Sequence, residues 1–336
     1  LVLHQFCLSF ELEERAKTHI KVEIMDSHTQ PNLPVINFSE ESMQPGTSSW
    51  LSARNQVRHA LETYGCFLAT YAKVSTELSD AVFQAVGELS ELPQQTKVQN
   101  VADLRYFGYL GQDSRKPLLE SMGIENATSK EAVQSFTNLM WPSGNDHFCD
   151  TVHLYAKLVR ELEETVSKMV FESYGVGKYY DSHNKSTDYL LRYMQYRVPN
   201  VEETNLGVPT HTDKTLITIL HQNQVSGLEV KTKEDEWIEV EFPPSSFVVM
   251  AGDAFQVWSN DRVRAASHRV IMKGNKARFT IGLFSHQKGI IEVPEELVTD
   301  ENPLKFKPFD NFGYLRFSLT EEGQRAEDPV KAYSGV

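Results

Sequence analysis

The stretch Pro209-Thr-His-Thr-Asp-Lys214 runs directly into the β-branched segment Leu216-Ile-Thr-Ile-Leu220. His211 and Asp213 are two positions apart, and side chains at i and i+2 of an extended chain project from the same face. A third ligand from elsewhere would complete a set of two histidines and one carboxylate, the facial arrangement that leaves open positions on iron(II). The stretch therefore predicts a metal site, with the rest of the chain forming a barrel around it.

His268 is the candidate for the third ligand. Of the eleven histidines, it lies in a β-branched run, residues 265–272, which predicts a strand. It follows Asp213 by 55 positions, which is enough chain for several strands to return to the same place.

Arg278 and Thr280 follow in the next predicted strand, after a turn at residues 273–276. With a three-residue hairpin loop, both side chains share a side of the sheet with His268. The planar fork of an arginine matches a carboxylate with two parallel hydrogen bonds, and a hydroxyl can add one more. The pair therefore predicts an anchor for the far end of a dicarboxylic co-substrate whose near end chelates the metal.

Helical and β patterns divide the chain near residue 186. Before it, apolar stripes predict helices at about residues 50–65, 76–92 and 150–174, with short strands at 34–38 and 66–71. After it, short strand-like runs alternate with turn signals, which is typical of a sandwich or barrel. These runs are 190–197, 216–220, 227–232, 237–240, 247–251, 255–259, 265–272 and 277–285.

Composition excludes several classes of partner. The 336 residues carry a formal net charge of −13, which argues against nucleic acid or an anionic membrane as the main partner. No apolar run approaches the roughly 18 residues of a membrane span. The three cysteines are too few and too far apart for a disulfide framework, which fits a reducing compartment. We expect a monomeric, cytoplasmic protein that binds a small molecule.

Each pattern alone has a plainer interpretation. A His-x-Asp pair often occurs by chance, an Arg-x-Thr pair on a strand is usually a surface pair, and His221 fits the barrel wall or the pocket rim. The set in the order His-x-Asp, His, Arg-x-Thr, with strand context, is far more specific than any part.

From about residue 33 to the C-terminus, the sequence resembles plant iron(II)- and 2-oxoglutarate-dependent dioxygenases. Within that superfamily it resembles the AOP-type clade, which includes glucosinolate side-chain oxygenases and related hydroxylases of plant specialised metabolites. The motifs that carry the resemblance are Pro34-Val-Ile-Asn-Phe38, Tyr64-Gly-Cys-Phe67, Glu120-Ser-Met-Gly123, Ser135-Phe-Thr-Asn-Leu-Met-Trp-Pro142, His211-Thr-Asp213, Gly252-Asp-Ala-Phe-Gln-Val-Trp-Ser-Asn260, His268-Arg-Val270 and Arg278-Phe-Thr280.

The resemblance implies an α+β fold with a mainly β core, a double-stranded β-helix or distorted jelly roll flanked by helices. It divides the chain into an extension or loop (1–32), an N-terminal dioxygenase region (33–150) and a jelly-roll domain with a C-terminal segment (151–336). His211, Asp213 and His268 would bind Fe(II), while Arg278, Thr280 and Tyr196 would hold 2-oxoglutarate. Met194 stands where the family usually has Asn, and Thr280 where it usually has Ser.

The implied activity is oxidation, by default hydroxylation, of a small plant specialised metabolite with O2, releasing succinate and CO2, with ascorbate as reductant. Demethylation, desaturation and ring rearrangement remain alternatives. So do an iron oxidase of the same superfamily that does not use 2-oxoglutarate and a catalytically silent binding protein. We expect the substrate pocket at the barrel mouth, with Phe107, Phe136, Met194, His221 and Phe284 as candidate lining residues, and a helix within residues 310–323 closing it.

Overall fold

The structure, a computed structural model, describes residues 32–39, 43–111 and 113–336. The predicted extension at residues 1–32 therefore lies, apart from Asn32, outside the described residues. The described part forms one compact unit, Asn32–Val336.

Thirteen strands are present in the described ranges. In chain order they are β1 (Val35–Asn37), β2 (Cys66–Thr70), β3 (Leu119–Glu125), β4 (Thr187–Tyr196), β5 (Leu206–His211), β6 (Ile217–Gln222), β7 (Leu228–Lys231), β8 (Trp237–Glu239), β9 (Ser246–Ala251), β10 (His268–Ile271), β11 (Arg278–Gln287), β12 (Ile290–Ile291) and β13 (Phe309–Asp310).

Helices lie mainly in the first half of the chain and at its end. They are α1 (Ser48–Thr63), α2 (Thr76–Glu91), α3 (Gln94–Lys97), α4 (Lys130–Met140), α5 (Asp146–Ser173), α6 (Tyr180–Lys185), α7 (Asp253–Trp258), α8 (Asn311–Phe317), α9 (Glu321–Arg325) and α10 (Pro329–Ser334), with 3₁₀ turns at Gly177–Tyr179 and Glu295–Leu297.

Two sheets face each other across a cavity. The major sheet has the order β1-β2-β9-β6-β11-β4-β3, and the minor sheet has the order β5-β10-β7-β8. All pairs in both sheets are antiparallel except β1 with β2. Residues of β4 and β11 line the cavity from one side and residues of β5 and β10 line it from the other. The arrangement is the distorted jelly roll that the resemblance implies.

Strand β11 illustrates how the major sheet separates its two faces. Arg278, Thr280 and Phe284 line the cavity, whereas the alternate residues Ile281 and Leu283 belong to the main hydrophobic core. Because side chains of a strand alternate between faces, one face serves the cavity and the other packs against helices. The long helix α5 covers that second face and contacts β6 and β11.

The predicted hairpin between residues 265–272 and 277–285 is wrong. His268 lies on β10, which pairs with β5 and β7 in the minor sheet, whereas Arg278 begins β11, which pairs with β4 and β6 in the major sheet. Arg278 nevertheless lines the same cavity as His268 because the two sheets face each other. The chain passes from the minor to the major sheet between β10 and β11. His268 and Arg278 therefore meet because the two sheets face each other, and not because they share a hairpin.

Three local predictions also differ from the structure. Residues 255–259, expected as a strand, fall mostly within helix α7. Strand β3 and helix α4 lie in the region 100–148, for which no regular element is predicted. Strand β5 precedes the metal motif, so that His211 ends a strand and Asp213 lies in the connection to β6.

Candidate metal centre and cavity

His211, Asp213 and His268 bring their ligand atoms together in the cavity. Their candidate ligand atoms all lie within 4.8 Å of one another. His211 Nε2 is 3.6 Å from Asp213 Oδ1, and His268 Nε2 is 3.9 Å from the same oxygen. Ligand atoms about 2.0–2.2 Å from one first-row metal ion, at right angles, are about 3 Å apart. The triangle is therefore close to that of a three-ligand facial site.

Backbone carbonyls fix the orientation of both imidazoles. His211 Nδ1 donates to Pro209 O at 2.8 Å, and His268 Nδ1 donates to Ala266 O at 2.9 Å. A carbonyl oxygen can only accept, so each Nδ1 carries the proton and each Nε2 keeps a lone pair for a metal. His211 and His268 are direct partners across β5 and β10, which sets their ring centroids 4.2 Å apart.

Asp213 is held in position by hydrogen bonds from strand β6 and helix α7. Thr218 Oγ1 donates to its Oδ2 at 2.7 Å, which leaves Oδ1 for the metal. Asp253 N donates to the backbone oxygen of Asp213 at 2.8 Å. This close approach requires Gly252, because a Cβ there would lie 2.4 Å from Thr215 O and 2.9 Å from Asp213 O.

Helix α8 braces the same connection from the C-terminal side. Asn311 Nδ2 donates to Lys214 O at 2.8 Å, and Tyr314 Oη donates to Asp253 Oδ2 at 2.6 Å. Lys214 Nζ pairs with the same Asp253 oxygen at 2.7 Å. Leu315 of the helix lines the cavity. The expected helix within residues 310–323 is thus present beside the site.

Electrostatics favour, in His211 and Asp213, the protonation states that a metal requires. Enclosure of the His211 ring in the cavity, with the nearby His268, lowers the pKa of His211 to about 3. Burial raises the pKa of Asp213, but the two imidazoles and the Thr218 hydroxyl outweigh it, so this pKa lies below its ordinary value. Metal binding needs neutral imidazole and ionised carboxylate, and the shifts of the His211 and Asp213 pKa values favour these forms near neutral pH.

Arg278 lies deep in the cavity and is 1 % exposed. Its Nε and Nη2 donate to Gln222 Oε1 at 3.0 and 2.7 Å, and its guanidinium carbon is 5.1 Å from the ring centroid of Tyr196. Thr280 Oγ1 is buried beside it with no hydrogen-bond partner among the described residues. Burial lowers the pKa of Arg278, yet an arginine stays charged at neutral pH.

These residues fit Fe(II) and 2-oxoglutarate. A buried guanidinium and an unpaired hydroxyl open on the same cavity as the three ligand groups. Gln222 is a neutral partner, so the charge of Arg278 is still available to an anion. A dicarboxylate spanning the two sites would satisfy Arg278 and Thr280 with one end and complete the metal coordination with the other.

The cavity has a volume of about 330 Å³ and also contains three of the five predicted substrate contacts, Phe107, Met194 and Phe284. The other two, His221 and Phe136, do not line this cavity. His221 faces the helices, with its Nδ1 3.2 Å from Tyr155 Oη and its ring 4.6 Å from that of Phe247. Phe136 lies on α4 and stacks on Phe148 in the hydrophobic core, with ring centroids 6.0 Å apart.

Several cavity residues have no counterpart in the sequence predictions. Arg192, Lys116 and His286 line it, as does Tyr106. Arg192 lies on β4 within the predicted strand 190–197, and it is four residues before Tyr196 on the same face. Period-two spacing from Tyr196 could therefore have identified it. Lys116 lies in an irregular segment, where no sequence pattern indicates its direction.

Comparison with known proteins agrees with this geometry. Residues 176–287 match the family model of the 2OG-Fe(II) oxygenase superfamily, and residues 33–143 match that of the non-haem dioxygenase in morphine synthesis N-terminal region. An Arabidopsis thaliana protein named "Probable 2-oxoglutarate-dependent dioxygenase AOP1.2" is 45% identical over 323 residues, which cover 92% of this chain and 99% of that protein.

Two solved structures have the same fold. The dioxygenase for auxin oxidation in rice superposes with a TM-score of 0.77 at 27% identity, covering 90% of this chain and 100% of that one. The Arabidopsis thaliana dioxygenase for auxin oxidation 1, solved as a binary complex with 2-oxoglutarate, has a TM-score of 0.74 at 26% identity, covering 81% and 99%.

The predicted family, fold and cofactors are confirmed by these matches. No helix in the described part is long and apolar enough to cross a membrane. The chain is a 2-oxoglutarate-dependent dioxygenase that uses Fe(II), and it belongs to the 2OG-Fe(II) oxygenase superfamily, within the AOP-type clade of plants.

Proposed function

We propose that this enzyme hydroxylates a small plant specialised metabolite, with Fe(II) held by His211, Asp213 and His268. The observation that carries the proposal is the shared cavity. It contains three converging ligand groups and, apart from them, a buried arginine whose charge no described carboxylate neutralises. A simple metal-storage or structural site has no use for that second feature.

Each side chain has a defined task. Arg278 and Thr280 bind the distal carboxylate of 2-oxoglutarate, and Tyr196 packs beside the guanidinium. Thr218 and Asp253 hold Asp213 in place, and α8 closes the connection behind it. Phe107, Met194 and Phe284 exclude water and orient the substrate. Bound Fe(II) and 2-oxoglutarate would activate O2, which is the oxidant, with one oxygen atom going to the substrate and the other to succinate as CO2 is released.

Hydroxylation is the simplest outcome for an open cavity of this kind, and demethylation, desaturation or rearrangement would need the same residues. The names of the rice and Arabidopsis thaliana relatives, which refer to auxin oxidation, support a small organic substrate. We further propose that the enzyme acts as a monomer in the cytoplasm, with ascorbate keeping the iron reduced. Cys66 and Cys149 are buried free thiols, which supports a reducing compartment.

The ligand assignment is tested by replacing His211, Asp213 or His268 with alanine. Each change removes one of three ligands, so we expect Fe(II) affinity, measured by anaerobic calorimetry, to fall by more than about 100-fold. Succinate formation should then be lost. His59→Ala, at an exposed position on α1, and Asp235→Ala, in an exposed turn, are matched controls that should retain both properties.

The same assays separate the alternatives. Succinate release coupled to product supports the proposal. Oxygen uptake without succinate would favour an oxidase that does not use 2-oxoglutarate. Binding of metal and metabolite with no oxygen uptake would favour a silent binding protein. Normal Fe(II) affinity in the His211→Ala and Asp213→Ala proteins would contradict the ligand assignment itself.

A further inference from the structure

We propose that the substrate is an organic anion with an apolar body, and that Arg192 and Lys116 bind its acidic head group. This inference rests on the proposed function, because it concerns the second ligand of the same cavity. It assigns the substrate's chemical class and two specificity-determining residues.

Arg192 is a buried cation without a compensating anion. Its side chain lies on β4, is 7 % exposed and lines the cavity. Its Nη2 donates to Ser121 Oγ, while its Nη1 is buried and has no hydrogen-bond partner among the described residues. Leaving a charged donor buried and unpaired is costly, so such groups are normally satisfied by a partner or a ligand. The unpaired Nη1 therefore points to a ligand that accepts a hydrogen bond at this position.

Lys116 adds a second cation to the same region. It lines the cavity, and its ammonium lies 5.2 Å from the ring centroid of Tyr106. Burial and the positive charge of Arg192 lower its pKa. Neither Lys116 nor Arg192 forms an ion pair with any carboxylate of the described ranges. Two cations that line one cavity and repel each other are stabilised when an anion binds between them.

Nearby acidic residues do not supply that anion. Glu120, next to Ser121 on β3, pairs with Lys97 at 2.7 Å and accepts from Tyr109 Oη at 2.8 Å. Adjacent residues of a strand face opposite ways, so Glu120 is turned away from Arg192. Asp113, the nearest acid in sequence to Lys116, pairs with the arginines Arg105 and Arg115.

2-Oxoglutarate does not supply it either. The formal charges of Fe(II), ionised Asp213, Arg278 and a 2-oxoglutarate dianion cancel, which leaves the charges of Arg192 and Lys116 without counterions. Strand pairing sets Arg278 opposite Tyr196 and Arg192 opposite Gly282. Arg192 and Tyr196 are four residues apart on β4, which is about 13 Å at roughly 3.3 Å per residue. The two arginines therefore serve different anions.

The wall beside Arg192 is apolar. Leu190, Phe107, Phe284 and Leu315 line it, and Phe107 packs on the His286 ring at 5.2 Å between centroids. Burial lowers the pKa of His286 to about 4, so this imidazole is neutral and adds no charge. An acid whose body contacts this wall would place its head group at Arg192 and Lys116 and present its carbon skeleton to the metal.

The test uses sets of probes that differ only in the head group. One set is phenylacetate, phenylmethanesulfonate and phenylacetamide, and the other is hexanoate, pentane-1-sulfonate and hexanamide. Binding is measured anaerobically to enzyme saturated with Fe(II) and 2-oxoglutarate, so that Arg278 is already occupied. We expect at least one anion to bind about tenfold more tightly than its amide, as charge-assisted hydrogen bonds allow. The carboxylate and sulfonate arms distinguish the two kinds of head group.

Arg192→Gln should reduce this preference for anions to less than about threefold, and Lys116→Gln should reduce it partially. Arg197→Gln is the matched control, because Arg197 follows β4 but pairs with Glu203 outside the cavity. It should retain the full preference. If Arg192→Gln does not unfold cooperatively, Arg192→Lys takes its place, because it keeps the charge but loses the planar fork, and several-fold weaker anion binding is expected.

The inference is overturned if no anion binds better than its amide, or if the preference survives the change at Arg192. Binding of 2-oxoglutarate is measured first in the same samples. If the wild-type enzyme does not bind 2-oxoglutarate, the proposed function is contradicted. If it binds 2-oxoglutarate but shows no preference for anions, only the present inference is contradicted.

Discussion

Arg278 combines complete burial, a permanent charge and a neutral partner. Gln222 accepts two of its donors, so the side chain is oriented without being neutralised. A preorganised guanidinium of this kind favours a planar dicarboxylate end over an uncharged one. We therefore expect Arg278 to favour 2-oxoglutarate over 2-oxo acids that lack a distal carboxylate.

Arg278→Gln should weaken 2-oxoglutarate binding by roughly 30-fold or more, because it removes one partner of a buried charge pair. The comparison ligand is 2-oxopentanoate, which lacks the distal carboxylate and should bind the variant and the wild type about equally. Anaerobic calorimetry measures both, and Arg160→Gln on α5 is a surface control. An equal loss for the two ligands would mean that Arg278 acts through the fold and not through that carboxylate.

The sequence predicts those residues of the site whose side-chain chemistry is unusual for a strand. His211, Asp213, His268 and Arg278 are unusual residue types in strand context, and the resemblance fixes their order. His221 and Phe136 were not predictable in the same way. Every residue of β6 is buried, so no polar alternation reveals which face His221 occupies.

Helix α5 is joined to the major sheet by a buried carboxyl group. Glu163 is 1 % exposed and accepts from Tyr189 Oη of β4 at 2.8 Å and from Ser167 Oγ at 3.2 Å. Burial raises its pKa from 4.5 to about 7, although these hydrogen bonds oppose the shift. The helix thus carries a group that remains protonated at pH values where an exposed glutamate is ionised.

This group should make the stability of the protein pH-dependent. Between pH 4.5 and about 7 the folded state retains a proton that the unfolded state releases, so stability falls as the pH rises through this window. The glutamine in the Glu163→Gln protein cannot ionise. Its free energy of unfolding should therefore fall by up to about 3 kcal/mol less than that of the wild type over this pH window. Urea unfolding of metal-free protein at several pH values measures the difference. Glu164→Gln is the neighbouring control, and parallel pH profiles for wild type and Glu163→Gln would contradict the prediction.

The elements themselves divide by how strongly their sequences are patterned. Long helices and β-branched strands were predicted nearly to their ends. Strand β3, Leu-Glu-Ser-Met-Gly-Ile-Glu, has a single β-branched residue, and β5 contains both glycine and proline, so propensity does not indicate either. Helix α7 has a strand-like composition, but its first backbone N–H groups, those of Asp253 and Ala254, donate to Asp213 O and Thr215 O in the connection before β6. Tertiary contacts outweigh local preference in these segments.

The architecture of the whole molecule depends on the order in which the strands pair, and the sequence patterns do not predict that order. The runs that hold His268 and Arg278 are consecutive and separated by a turn, so a hairpin is the natural prediction, yet they enter different sheets. The carboxylate anchor and the two histidine ligands therefore come from opposite walls of one cavity. A protein with a net charge of −13 thus encloses a cluster of cations, and anionic ligands are selected inside and not at its surface.

A metal ion bound at this site would restrict local opening of the fold. His211 and His268 are paired across β5 and β10, and Asp213 lies in the connection that leads into β6. One ion bound to all three links the edge of the minor sheet to the major sheet, so β10 cannot separate from β5 without releasing it. With free Fe(II) at 100 times its dissociation constant, such local opening becomes about 100-fold rarer. Amide hydrogen exchange measured with and without Fe(II) should therefore slow selectively in β5 and β10, while β4 and β11 exchange alike in both forms. Iron would then stabilise the pairing of β5 with β10 in addition to serving as the cofactor.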